Sequence, residues 1–292
     1  MNDDLRLRPA GAAATLRPMN AGDVAAMHRL ARQMSWPHRR ADCAQLLALG
    51  AGTVAVDAAG TTIGGGMRWA FGADVGTIGL VMVAREQQGK GIGRALMKAL
   101  IAESGLRALM LNATAEGLWL YEKLGFDPVG LVRQHQAERI EGTLLPPAPI
   151  VALRRAVPAD HASLSRLDAA AFGADRSRLI GRLLAEGETW LIERADRPAG
   201  FAILRAFGHG MLIGPVLAPG EEEAIALVAA AVRAAPPGVL RIDIAARAAD
   251  LARWLTAAGL PPVDTVTTMR RGRWPATANE AQRFGLALQA FG

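Results

Sequence analysis

Residues 79–93 read G-L-V-M-V-A-R-E-Q-Q-G-K-G-I-G, an order that few backbones accommodate. An apolar run gives way to a short polar turn, then to glycines at alternate positions, then to Arg94-Ala95-Leu96-Met97. Ile78, Leu80, Met82 and Val83 suit a strand buried on both faces. Ile92, Leu96 and Leu100 form an i, i+4 apolar row, which predicts a helix starting near Gly91. Gly89, Gly91 and Gly93 let the backbone come close to a ligand and bare its N–H groups. The helix dipole adds partial positive charge at that end, and Lys90 and Arg94 add full charges. The expected ligand is a phosphate or pyrophosphate. The spacing is not that of the nucleoside-triphosphate loop, and it lacks the G-x-G-x-x-G order of a dinucleotide fold.

The pattern does fit Q/R-x-x-G-x-G through Gln88, Gly91 and Gly93, and it resembles the pyrophosphate loop of the GNAT superfamily of acyl-CoA N-acyltransferases. A second block, Leu111 to Phe126, ends on Tyr121-Glu122-Lys123-Leu124-Gly125-Phe126 and resembles the second half of the GNAT core. The resemblance implies acetyl-CoA, or another acyl-CoA, as co-substrate and direct transfer of the acyl group to an amine. Val81, Met82 and Val83 would lie beside the pantetheine, with a backbone N–H near Val81 polarising the thioester carbonyl. Gln88, Gly89, Lys90, Gly91, Ile92, Gly93 and Arg94 would hold the pyrophosphate, and Asn112 would reach the pantetheine arm or serve as a strand-end turn residue. Tyr121, the chain's single tyrosine, would return a proton to the leaving thiolate; packing under the helix is its other role.

The general base stays open. Many members of the family carry a glutamate on the strand before the loop, whereas Ile78, Gly79, Leu80 and Val81 offer none. Glu116, Asp74, His28 and His38 are candidates, as is a water chain. Met34 to Arg40 is expected to form a lip over the acceptor, with Trp36 and His38 as its substrate-facing residues.

At 292 residues, with 51% hydrophobic content, the chain can core two domains of ordinary size. The net charge of +6 could point to nucleic acid. Its arginines are dispersed, however, and there are three lysines and no basic run with interleaved aromatics, so no nucleic-acid partner is expected. No segment is long and apolar enough for a membrane helix, and Met1 to Pro18 lacks the apolar core of a secretory signal. One cysteine, Cys43, rules out an intramolecular disulfide and a multi-cysteine metal site. The five histidines show no ligand spacing, so no metal is expected. A cytoplasmic location follows, and a homodimer is left open.

Internal repetition sets the architecture. Leu16-Arg17 with Asp23, Arg29 and Leu30 recurs as Leu153-Arg154 with Asp160, Arg166 and Leu167; Gly125, Pro128 and Val129 recur as Gly259, Pro262 and Val263. The fold class is therefore α/β of the α+β GNAT type, as two mixed-sheet domains in tandem: 1–140 binding the acyl-CoA, a proline-rich linker at 141–149, and a degenerate copy at 150–292. Where the first copy has its glycine loop, the second has Gly220-Glu221-Glu222-Glu223, which would repel a pyrophosphate. Tyr121 is replaced there by Leu255. The phrase Phe172-Gly173-Ala174-Asp175-Arg176 resembles one found in C-terminal halves of tandem GNAT proteins, with a capped loop as its plain reading. The function expected is an acetyl-CoA-dependent N-acetyltransferase, a transferase acting on a small-molecule or amino-acid-like amine. The alternative is a non-catalytic acyl-CoA-binding or interaction protein.

Overall fold

The computed structural model describes residues 14–105, 107–139, 145–277 and 281–292. The first part of the expected linker, 141–144, and the N-terminal stretch 1–13 lie outside the described residues. The chain divides into two compact units, 1–111 and 112–292.

The first unit opens with β1 (Thr15–Pro18), α1 (Val24–Gln33), α2 (Arg40–Leu49), β2 (Ala51–Val56), β3 (Thr62–Phe71) and β4 (Val75–Val83). It continues through α3 (Ile92–Glu103) into β5 (Ala108–Ala113). Strands β1 to β4 form antiparallel neighbours in chain order, and β4 pairs in parallel with β5. Strand β3 carries Gly64-Gly65-Gly66 where helices press on both of its faces. A Cβ on Gly64 would meet Leu96 and Ile92 of α3, and one on Gly66 would lie 2.7 Å from Leu100. A Cβ on Gly65 would lie 2.5 Å from the Met27 sulfur of α1. The three glycines thus let α3 and α1 close on opposite faces of one strand.

The second unit contains α4 (Leu118–Glu122), β6 (Asp127–Arg139), β7 (Arg154–Arg155), α5 (His161–Phe172), α6 (Ser177–Glu186) and β8 (Glu188–Arg194). There follow β9 (Arg197–Phe207), β10 (Gly210–Ala218), α7 (Glu221–Ala234), β11 (Gly238–Ala245), α8 (Ala249–Ala257), β12 (Pro262–Arg271) and β13 (Gln282–Gly285). Its strands lie in the order β12-β6-β11-β13-β10-β9-β8-β7. Helix α7 is rich in alanine and valine and packs into a core with Trp190, Leu204, Ile213, Ile242 and Trp254.

The repeat read in the sequence reappears as repeated geometry. Arg17 grips Asp23 with two bonds of 2.7 Å, and Asp23 also accepts from the Asn20 N–H. Arg154 grips Asp160 at 2.7 and 2.9 Å, and Asp160 accepts from the Val157 N–H. At the other end of each copy, Phe126 N–H bonds the Tyr121 carbonyl and Leu260 N–H bonds the Leu255 carbonyl, so Tyr121 and Leu255 are structural counterparts. Gly125 and Gly259 hold the left-handed turns between them, at φ 80° and 82°.

Repetition and packing divide the chain differently. The sequence repeat breaks at 141–149, whereas strand β6, which precedes that stretch, pairs along its length with β11 on one side and β12 on the other. A chain ending at Pro149 keeps β6 and loses both neighbours, leaving two unpaired edges. Such a fragment is expected to aggregate on expression. A soluble, monodisperse fragment with native-like circular dichroism would contradict this pairing.

Candidate functional site

The residues read as a phosphate cradle form a loop between β4 and α3. Gly89 and Gly91 both sit in the left-handed region, at φ 77° and 79°, and Gly91 is the residue that opens α3. A Cβ at either would meet nothing within 4 Å, so it is the backbone conformation and not space that selects glycine. Gly93 differs from its two companions in lying within the first turn of α3. No side chain caps that helix and no acidic residue occupies its first turn. The first N–H groups of α3 are therefore available to an anion. Gln88 Nε2 donates to the Val83 carbonyl at 3.1 Å and ties the loop back to the strand end. Lys90 bonds Gln87 at 3.0 Å, and both Lys90 and Arg94 are exposed.

The strand before the loop carries a distortion that the sequence reading did not foresee. Gly65 pairs with Met82 and Met67 pairs with Gly79, so Leu80 and Val81 together oppose Gly66. This is a β-bulge, and Leu80 takes φ 52° to make it. A branched side chain in that region costs on the order of 1–3 kcal/mol, a strain typical of functional segments. The described pairing of β4 with β5 stops at Thr77–Met110, before the bulge. Beyond it, the backbone of Ile78 to Val83 is not tied to β5, and the two strands part beside the glycine loop.

The second unit contains the same bulge. Ile213 pairs with Leu204 and Val216 with Ala202, so Gly214 and Pro215 oppose Ile203. Pro215 stands where Val81 stands in the first unit, and proline has no N–H to donate. The parting of β10 from β11 is filled by the chain itself. These strands pair over Gly210–Ile213 with Val239–Ile242, after which β13 enters and pairs with Val216 to Ala218. A Cβ on Gly214 would lie 2.0 Å from the Leu286 carbonyl, which shows how tightly the insert is seated. The helix start that would face a phosphate is also committed. Glu221 accepts from the Asp250 and Leu251 N–H groups at the start of α8, and Glu223 pairs with Arg194.

Tyr121 lies in α4, half-buried, with its ring against Gly117 and edge-on to Phe126 at 6.3 Å. Among the described residues nothing bonds its hydroxyl. Burial pushes its phenol up to about 12. Asn112 has both ends of its amide engaged: Nδ2 donates to the Gln289 carbonyl at 2.7 Å, and Oδ1 accepts from the Thr268 hydroxyl at 2.7 Å. This geometry fits the strand-end role. Trp36 and His38 lie in the connection between α1 and α2, half-buried, with rings 6.0 Å apart. Ser35, at φ 59°, turns the chain there, and Trp36 N–H bonds the Ala31 carbonyl. Of the remaining base candidates, Glu116 is exposed and its carboxyl is held below the usual range by its own N–H and by Thr114. Asp74 sits in the β3–β4 turn, at the opposite end of β4 from the glycine loop, and His28 is half-buried in α1. Among the described residues no cluster of His, Cys, Asp and Glu is arranged to hold a metal, and no helix is long and apolar enough to cross a membrane.

Comparison with known proteins agrees with this geometry in both halves. Profiles of the acetyltransferase (GNAT) domain match residues 50–128 and, separately, 164–285. A Bacillus subtilis (strain 168) protein named "Uncharacterized N-acetyltransferase YitH" is 33% identical over 172 residues, which are 58% of this chain and 60% of that protein. Among solved structures, a Pyrococcus horikoshii protein whose acetyltransferase assignment is provisional superposes with a TM-score of 0.79 at 19% identity, over 100% of this chain and 99% of that one. A tandem GNAT protein from the clavulanic acid biosynthesis pathway superposes with a TM-score of 0.65 at 15% identity, over 90% and 99%. At such identities the structural likeness shows the fold, a mixed α/β GNAT fold in tandem. The chain belongs to the GNAT acetyltransferase superfamily and carries two GNAT domains, one after the other.

Proposed function

We propose that the protein is an acetyl-CoA-dependent N-acetyltransferase that uses only its first copy to bind the acyl donor and acts on a primary amine of a small or amino-acid-like molecule. The observation that carries this reading is the pair formed by the β4 bulge and the bare, left-handed glycine start of α3. The fit to a pantetheine pyrophosphate is a matter of donors: uncapped N–H groups at Gly91 to Gly93, a helix dipole, and two exposed cations, Lys90 and Arg94. Acetyl-CoA, when bound, supplies the activated acetyl group. Within the stretch of β4 that is not paired to β5, Val81 would offer its N–H to the thioester carbonyl, an oxyanion-type contribution of ~3 kcal/mol. Met82 and Val83 would line the same arm. Trp36 and His38 would form the acceptor lip.

Tyr121 is the proposed acid. Its raised pKa keeps the proton on the phenol throughout the neutral range, which a group that must donate it requires. For the base, Asp74 lies at the far end of β4 from the glycine loop. Glu116 is exposed and more acidic than usual, a poor base near neutrality, so proton loss by the amine through water is the reading adopted. The second reading, a non-catalytic acyl-CoA binder, draws on one feature: Ile78 to Val81 carry no carboxylate.

Gly91→Glu would force a side chain into the left-handed conformation and place a negative charge at the cradle. Calorimetry should show CoA affinity falling at least tenfold with the melting temperature little changed; unchanged affinity would remove Gly91 from the site. Tyr121→Phe should keep CoA affinity and lose about 10²–10⁴-fold in kcat on an amine found by thiol-release screening. Turnover within twofold of wild type would reduce Tyr121 to packing. The wild-type phenolate titration reads Tyr121 alone, since the chain has one tyrosine. Its midpoint should fall near about 12 and not near the ordinary ~10. Because the folded state holds the proton more tightly, stability should fall as pH rises between those values. A midpoint at the ordinary value would show an exposed phenol.

A further inference from the structure

The phrase Phe172-Gly173-Ala174-Asp175-Arg176 makes the turn from α5 to α6, and it buries more than a capped loop would. Gly173 ends α5 at φ 90°, and the Asp175 carboxylate accepts the Ser177 N–H at 2.7 Å. Arg176 is 1% exposed. It holds Asp168 with two bonds, at 2.8 and 2.6 Å, and its Nη1 donates to the carbonyls of Phe291 and Gly292. Its guanidinium stacks on Phe172, 3.9 Å from the ring centre.

Two further arginines converge on the same place. Arg283 of β13 lies 4.9 Å from the Phe172 ring centre, and Arg270 of β12 lies 4.8 Å from that of Trp274. The two rings meet edge-on at 5.3 Å, and Trp274 Nε1 donates to the Phe172 carbonyl at 2.9 Å, which fixes this aromatic wall. Among the described residues Asp168 is the side-chain carboxylate that opposes this positive charge, and Arg176 already occupies both of its oxygens. Arg283 Nη1 and Arg270 Nε are buried and make no hydrogen bond among the described residues. Burial pushes Arg283 down to about 9, and Arg176, Arg270 and Arg247 add repulsion that Asp168 only partly offsets.

A guanidinium with a buried, unbonded N–H and too little opposing charge is costly, and an uncharged side chain would be cheaper in the same place. Excess buried charge of one sign, gathered along one aromatic wall, marks a site. Arg283 and Arg270 each keep part of their surface in solvent, so a small solute can reach them. We infer that Arg283 and Arg270 form, in the C-terminal half, a binding site for a compact oxyanion, a carboxylate or phosphate group, with the Phe172–Trp274 wall beside it and the Arg176–Asp168 pair as its fixed floor. The planar fork of arginine matches either group with two parallel bonds. The site is independent of the acyl-transfer proposal and assigns a role to a half whose own donor cleft is filled.

The test is thermal melting of the full chain in a chloride buffer at constant ionic strength, titrated with phosphate in one arm and with succinate in the other. The wild type should gain stability saturably in at least one arm, because a ligand that binds the folded state raises the melting point by mass action; the arm with the lower half-saturation names the group. Arg283→Gln should melt no lower than wild type without added anion, since it removes an unpaired buried charge, and should lose the response. Arg270→Gln should weaken half-saturation about tenfold. No saturable response in either arm would overturn the proposal. So would a full response in Arg283→Gln. So would an Arg283→Gln protein that melts well below wild type without anion, because the guanidinium would then be a structural strut.

Discussion

One extra residue in the strand before the glycine loop governs how each half of this protein can be used. A sheet whose ladder ran unbroken would have every backbone group paired with a neighbour and none left for a ligand. In the first unit the bulge at Leu80–Val81 breaks the ladder. The pairing of β4 with β5 ends at Thr77, and the strand edge leading into Gly89 and Gly91 is released. The strained φ of Leu80 is held by what surrounds it. Gly66 opposes the bulge with no Cβ, and Leu100 of α3 fills the space a side chain would have taken.

The second unit repeats the bulge and withdraws each feature that the first offers to a ligand. Pro215 replaces the N–H donor at the Val81 position. Glu221 to Glu223 replace the bare helix start, and two of the three are engaged, Glu221 with the start of α8 and Glu223 with Arg194. Strand β13 occupies the parting between β10 and β11 and makes with β10 the kind of backbone pairing a bound pantetheine arm would make. The polar groups that the bulge would strand are thereby satisfied from within the chain. A domain that repeats the fold yet fills its own cleft is free to serve as scaffold, and its buried arginines give it a chemistry of its own.

Much of this was legible in the residues. The glycine loop, the helix from Ile92 and the offset between copies all follow from local spacing, and the Arg17–Asp23 and Arg154–Asp160 pairs confirm the offset atom by atom. What was not legible depends on contacts distant in sequence. The bulge shows only in the register of β3 against β4. The equivalence of Pro215 with Val81 emerges only from the two bulged registers, β3 against β4 and β9 against β10. Strand β13 is four residues long and carries no strong pattern, so nothing local announces that it plugs a cleft. Asn112 and Arg176 look like turn residues in the sequence. Their partners, Gln289 and Thr268 for one, Asp168 and the final carbonyls for the other, reach far along the chain in all but one case.

In the proposed function, two copies of one fold provide a single acyl-donor site. Calorimetric titration of the full chain with CoA counts the sites directly. The account predicts one CoA per chain, with the same stoichiometry in a Pro215→Val variant, because β13 and the glutamates still exclude the ligand from the second cleft. Two CoA per wild-type chain would contradict it.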